Sequence, residues 1–313
     1  MLMGETSRLP IYQTVYSGSL KDVSTLKTTL AKFETIAGDK PVLVVMDKGF
    51  ASKKNITGLL DANKKFIIAM PFTFAFIQQQ IVAECESIDC LKNVLVMGGE
   101  SLRAVTKRVF WGDVGYEVFV HVFFNPVRAV NDRERVFAGV LEMQKKAVVE
   151  PLKYVDDVLY QRYLSFEQVG VSGYRVELRE DVVESACRSA GWLVIVSNEV
   201  ELAVDALRIY RAKDVVEKGF MCLKNSLDVG RLRVHGDEAM QNKVFIGFVA
   251  LILLSFVHNV MLVSGLYKKW TMKQLLRVLA KHRVVEFRDS KIFYPVTKDQ
   301  RLIYQAFDIP VSE

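Results

Sequence analysis

Cysteine is scarce and poorly placed for bridging: Cys85, Cys90, Cys187 and Cys222 are the four in 313 residues, and no two form a CxxC pair. No zinc site is therefore expected, and free thiols in a reducing cytosol are the default. The opening residues, MLMGETSRLP, hold no apolar run. No secretory signal is expected from them, and the protein is read as cytoplasmic. Internal repeats and low-complexity tracts are also lacking, so a repeat array is excluded. A large excess of one charge is missing too: 42 basic residues stand against 36 acidic ones, a net charge of +6. That is a weak pointer to a polyanionic partner. Half of the residues are hydrophobic, enough for one large core or two modest ones.

Long apolar runs are rare, with one exception. Val244–Val263, VFIGFVALILLSFVHNVMLV, carries no charge over 20 residues. That length reaches a bilayer span, and Lys243, Lys268 and Lys269 flank it. His258 and Asn259 inside the run are costly in lipid unless paired. Because the rest of the chain alternates short strands with amphipathic helices, the run is read as a helix buried in a soluble core, with no membrane partner.

Taken in order, Leu9–Ser17 reads as a strand closed by Gly18, and Val23–Ile36 as a helix ending at Gly38. Pro41–Asp47, PVLVVMD, is a nearly continuous apolar run of the kind buried on both faces. It ends in Asp47-Lys48-Gly49-Phe50. A carboxylate at the C-terminal end of a buried strand is where open α/β sheets place their chemistry; a turn-forming Asp before Gly is the plainer alternative. A helix over Lys53–Ala62 and a strand over Phe66–Met70 complete a βαβ unit. Beyond Pro71 come a helical patch at Ile77–Cys85 and a hairpin of Thr106–Trp111 with Tyr116–Phe124, turned at Gly112-Asp113. Helical patterns then cover Val127–Lys146, Pro151–Phe166 and Val182–Ala190. Trp111, at the hairpin tip, is a candidate for stacking on an unpaired base, against ordinary packing on the hairpin. Lys107, Arg108, Arg128, Arg133 and Arg135 are candidate backbone contacts or scattered surface cations. Gly191–Asn198 is another buried strand. After the apolar helix, the residues from Lys269 form a small tail with a basic amphipathic helix at Trp270–His282.

Tyr210–Asn225, YRAKDVVEKGFMCLKN, is the densest cluster of candidate chemistry. Tyr210, Lys213, Glu217 and Lys224 are spaced three, four and seven residues apart. On a helix they fall inside an arc of roughly 60°. A carboxylate beside a phenol and two cations suits a divalent metal next to a phosphate; a solvated charged edge is the bland alternative.

This spacing resembles the Y-(2)-R-(3)-E-(6)-K signature of bacterial insertion-sequence DDE transposases, insertion-sequence family four. Lys213 stands where that family has Arg, which loses the planar fork that grips phosphate bidentately. PIYQTVYSGSLKDVSTLKTTL followed by VLVVMDKGFASKKNITGLL is similar to the same family's passage from its third strand to its second catalytic Asp. The resemblance implies an α/β fold: a ribonuclease H-like core, a mixed sheet flanked by helices, interrupted by an inserted α+β domain. On it, residues 1–71 and 191–265 form the core, 72–190 the insertion and 266–313 a tail.

The resemblance further implies Asp47 and Glu217 as catalytic residues and metal ligands. Tyr210, Lys213 and Lys224 would contact DNA. It also implies Mg2+ or Mn2+, expected as a two-ion site in the full-length enzyme, with the ions about 4 Å apart and clamping the oxygens of an in-line phosphoryl transfer. On the same resemblance, water would attack a phosphodiester at the element end and the freed 3′-hydroxyl would attack target DNA, within a homodimer on DNA. The family takes its first Asp from the first core strand, which we do not find here; Asp22 and Asp39 are poor substitutes. The expectation is an N-terminally truncated, catalytically impaired transposase with its first core strand or strands missing. Rival readings are a ribonuclease H-like nuclease without strand transfer, a non-catalytic module that binds element ends, and a single-span membrane protein.

Overall fold

The computed structural model describes residues 2–4, 7–16, 20, 22–38, 42–112, 115–170, 173–213, 236–287 and 290–310. The chain divides into two compact units, Lys21–Arg211 and, together, Met1–Leu20 with Ala212–Glu313.

In the second of these, strands β1 (Leu2–Met3) and β2 (Pro10–Tyr12) pair as an antiparallel ribbon. The strand expected over Leu9–Ser17 is thus only three residues long.

The unit Lys21–Arg211 opens with helix α1 (Asp22–Ala37), closed by Gly38 at φ 61°. There follow β3 (Leu43–Met46), α2 (Lys53–Asp61) and β4 (Lys65–Ala69). Ser52 caps α2 by accepting from the Asn55 amide, and this βαβ segment matches the sequence expectation. Next come α3 (Ala75–Glu84), β5 (Val94–Met97), β6 (Glu100–Trp111), β7 (Tyr116–Phe124) and α4 (Pro126–Val149). The helical pattern over Pro151–Phe166 breaks into α5 (Pro151–Tyr154) and α6 (Val158–Tyr163). Asp157 restarts the helix there by accepting from the amides of Leu159 and Tyr160. The unit ends with β8 (Leu164–Val169), β9 (Gly173–Leu178), α7 (Glu180–Cys187), β10 (Trp192–Ser197) and α8 (Ala203–Ala212).

Six strands form one mixed sheet in the order β3-β4-β10-β7-β6-β5. β3 and β4 are parallel, and every other neighbouring pair is antiparallel. Alternation along the strands sends side chains to two packed faces. Phe66, Ile68, Val118, Val120, Val122, Val194 and Val196 join one core cluster with Leu26 of α1, Ile56, Leu59 and Leu60 of α2, and Ile77 of α3. Ile67, Phe123 and Ile195 point the other way, onto Leu207 of α8. Helices therefore flank both faces.

One expectation changes here. Leu43–Val45 are only half-buried, because β3 lies at the end of the sheet order rather than inside it. Of residues 72–190, expected as an inserted domain, β5, β6 and β7 lie in the same sheet as the expected core strands, and β7 pairs with β10 from Trp192↔Phe124 to Ser197↔Phe119. A side branch of this unit, the β8–β9 hairpin against α4, has a small cluster of its own around Ala147, Leu164 and Val176. Gly191 ties the branch back to the sheet at φ 77°; a Cβ there would meet the Ala129 Cβ at 2.5 Å and the Asn125 carbonyl at 2.6 Å. Only glycine fits that approach.

The other unit continues with α9 (Asp237–Val263), α10 (Met272–Leu279), the hairpin β11 (Val284–Phe287) and β12 (Ser290–Phe293), and α11 (Lys298–Ala306). Met261, Trp270, Leu275 and Ile303 form its core. Capping boxes at Thr271–Gln274 and Thr297–Gln300 set the starts of α10 and α11. The apolar run expected to be buried all round is α9, yet only Gly247, Phe248, Leu251 and Met261 of it are buried. Ile246, Leu253 and Val263 are 67, 63 and 92% exposed. At 27 residues the helix is about 40 Å long, more than a four-residue core can cover. By length and composition alone it is able to cross a membrane.

Candidate active site

Asp47 follows β3 directly and starts a 3-10 turn over Lys48–Phe50, its Oδ1 accepting from the Lys48 amide at 2.7 Å. Across 163 residues of sequence, the Tyr210 hydroxyl on α8 donates to the same Oδ1 at 3.2 Å. Thus the first residue of the YRAKDVVEKGFMCLKN cluster and the candidate carboxylate are in hydrogen-bond contact.

What delivers Tyr210 is the turn from β10 into α8, and here sequence reasoning missed the residues that matter. Ser197 is buried, donates to the Phe66 carbonyl at 2.8 Å and accepts from the amides of Glu199 and Val200. Asn198 accepts from the Phe66 amide at 2.9 Å and donates to the Lys64 carbonyl at 2.9 Å. The turn is therefore bound to the backbone of β4, the strand beside the one that carries Asp47. His121 of β7 holds it from the other side, with Nε2 donating to the Val200 carbonyl at 3.0 Å and Nδ1 meeting the Thr106 hydroxyl at 2.8 Å. A carbonyl only accepts, so Nε2 carries the proton and Nδ1 accepts from Thr106. Burial pushes the imidazole pKa down to about 4, the Val200 hydrogen bond opposing it weakly. The available signal was a lone histidine in the apolar strand YEVFVHVFF, whose alternation puts it on a packed face.

The remaining candidates divide plainly. Lys213 lies just past α8 and is half-buried, whereas Glu217 and Lys224 are outside the described residues, as is Asp113 of the hairpin turn. Arg211, a second cation near Tyr210, pairs with Glu100 at 2.7 Å. Trp111 is a correction: it is 5% exposed, edge-on to Phe76 at 5.7 Å, with its indole N–H on Thr57. Stacking on a base would mean pulling that ring out of the core, which costs several kcal/mol of buried aromatic surface. Of the candidate backbone contacts, Lys107 pairs with Glu84, Arg108 with Glu117, and Arg128 and Arg135 with Asp132. Lys107 also holds the buried Glu84 carboxyl below its usual range, against the opposing effect of burial.

The Asp47 carboxylate is a hard oxygen donor, of the kind magnesium and manganese take. In kind it fits a divalent ion. Among the described residues no group of three or more His, Cys, Asp or Glu is gathered closely enough to hold one. Tyr210→Phe, which deletes only the hydroxyl, is expected to lower the unfolding free energy in urea by about 1 kcal/mol. A midpoint identical to that of the parent chain would mean that the contact contributes nothing.

A family model described as a transposase DDE domain matches residues 1–253. Comparison with curated proteins gives no match.

Proposed function

The chain belongs to the transposase DDE domain family, and from that footing we propose that it is an insertion-sequence transposase of the Y-R-E-K branch. The family acts on DNA by phosphodiester cleavage and transesterification, and the mixed α/β sheet flanked by helices is consistent with its ribonuclease H-like fold. The observation that carries the finer reading is the Tyr210–Asp47 hydrogen bond, which joins the two stretches that resemble that branch. On this reading Asp47 and Glu217 are metal ligands, while Tyr210, Lys213 and Lys224 hold phosphates of the element end, in a homodimer on DNA. Magnesium or manganese, when bound, supplies Lewis-acid stabilisation of charge on the phosphoryl oxygens. Tyr210 keeps the Asp47 carboxylate oriented at the strand end, and the turn bound to Phe66 keeps Tyr210 in reach. With two carboxylates assigned where the chemistry uses three, catalysis by this chain alone is impaired.

The test incubates the purified chain with duplexes taken from the DNA flanking its reading frame, with magnesium or manganese, and reads both gel shift and nicking. A shifted complex with nicking at background is the expected result. Robust cleavage that Asp47→Asn abolishes would overturn the impairment; robust cleavage that survives Asp47→Asn would overturn the assignment of Asp47. Cleavage without joined products would favour a nuclease. A second reading, a single membrane span, is favoured by the exposed apolar length of α9. Recovery of the expressed chain in the soluble fraction removes it.

A further inference from the structure

Net charge is unevenly spread along this chain. Residues 266–313 hold ten Lys and Arg against five Asp and Glu, whereas the 265 residues before them hold thirty-two against thirty-one. Nearly all of the excess positive charge thus sits in the segment that follows α9, beyond the residues matched by the transposase model.

The structure gives this excess a direction. In α10 the inward positions are Met272, Leu275, Val278 and Leu279, all in or against the core around Trp270. At about 100° per residue, Lys273 and Arg277 lie opposite the centre of that arc, and both are exposed. In α11, Gln300, Ile303 and Phe307 face inward, and Lys298 and Arg301 lie on the opposite side, again exposed. Lys281 and Arg283, also exposed, border an open cleft of about 400 Å³ between the two helices and the end of β12. Among the described residues none of these six cations is in an ion pair, while the nearby carboxylate of Asp299 is taken by Lys269 at 2.6 Å. Helix starts fixed by capping boxes and a small apolar core hold the cations on ordered elements rather than on a loose tail.

We infer that the α10–β11–β12–α11 segment is an accessory platform for the DNA backbone, binding duplex phosphates without reading sequence. The inference rests on DNA being the partner, but on none of the catalytic assignments. Cations presented on ordered helix faces and in no ion pair among the described residues match a phosphate array, and each phosphate contact releases counterions, so binding must weaken steeply with salt.

The experiment titrates the full chain into a fluorescent duplex of about 20 base pairs and arbitrary sequence, without divalent metal, across a salt series. The variant K273Q/R277Q/K298Q/R301Q removes four charges from exposed helix faces. A control, K92Q/R133Q/K145Q/R188Q, removes four exposed charges from the other unit. The tail variant is expected to lose at least about 30-fold in affinity near 0.1 M salt and to flatten the log–log salt slope by about 3, with the control changing either by far less. Circular dichroism melting shows whether each variant is folded. If the tail variant binds like the parent, or the control loses as much, the platform is refuted. Tail-dependent sedimentation with phosphatidylserine vesicles, with no tail-dependent duplex binding, would overturn it in favour of a lipid surface. Because no cleavage is read, loss of the catalytic reading leaves this result interpretable.

Discussion

Phe66→Ala is expected to lower the unfolding free energy by about 3–5 kcal/mol, among the largest effects any single substitution can have here. Phe66 is fully buried in β4, between β3 and β10, and packs in the cluster that joins the sheet to α1, α2 and α3. Removing the ring forfeits its transfer from water and leaves a cavity that strands paired on both sides cannot collapse to fill. A further consequence is local. The Phe66 amide and carbonyl are the groups to which Asn198 and Ser197 bind, so movement of β4 loosens the turn that delivers Tyr210 to Asp47. Urea unfolding at constant m value is the measurement, with Phe66→Leu as a milder comparison. A loss under about 1.5 kcal/mol, the range of a volume-conserving swap, would mean that the site collapses after all.

Acidification should remove about 3 kcal/mol of stability between pH 6.5 and about 4, through His121. The folded-state pKa of this imidazole is depressed from 6.5 to about 4, so in that interval the unfolded chain binds a proton that the folded chain refuses. Stability is therefore fully present above the unfolded value, falls as pH drops through 6.5, and levels off near the folded value. Glu84 contributes in the same direction but lower, since its carboxyl is held below 4.5 and its share is lost only as pH falls beneath that. Comparing the parent with His121→Gln at pH 7.5, 6, 5 and 4.5 isolates the imidazole. The parent should lose stability over this range faster than the variant. Parallel curves would show that the histidine titrates alike in both states.

Much of the local structure was legible before any coordinates. The βαβ segment around Asp47, the hairpin of Thr106–Trp111 with Tyr116–Phe124, the helices read over Val23–Ile36 and Val127–Lys146 and a helix across the uncharged run Val244–Val263 all announced themselves by periodicity, capping residues or a glycine stop. Asp47 stood out at the end of an apolar strand, and Tyr210 by its spacing to Lys213, Glu217 and Lys224, but the roles proposed for both come from the family resemblance. Other features were not legible, for identifiable reasons. Trp111 looked available because it ends a strand at a turn, and only the position of α3 shows that Phe76 covers it. The histidine–threonine pair and the serine–asparagine clamp went unseen because each acts on backbone carbonyls and amides, which carry no sequence signature.

By itself, then, the sequence determined many of the stretches that are strands and helices, where an acidic side chain ends a strand, and which family the chain resembles. Tertiary structure alone decided that β5, β6 and β7 extend the central sheet, that β3 lies at its edge, that α9 is largely uncovered, and that Tyr210 reaches Asp47. The reason is physical. Hydrophobic periodicity reports which side of an element prefers to leave water, a property of neighbouring residues. What comes to cover that side, and which strand pairs with which, depends on groups far away along the chain.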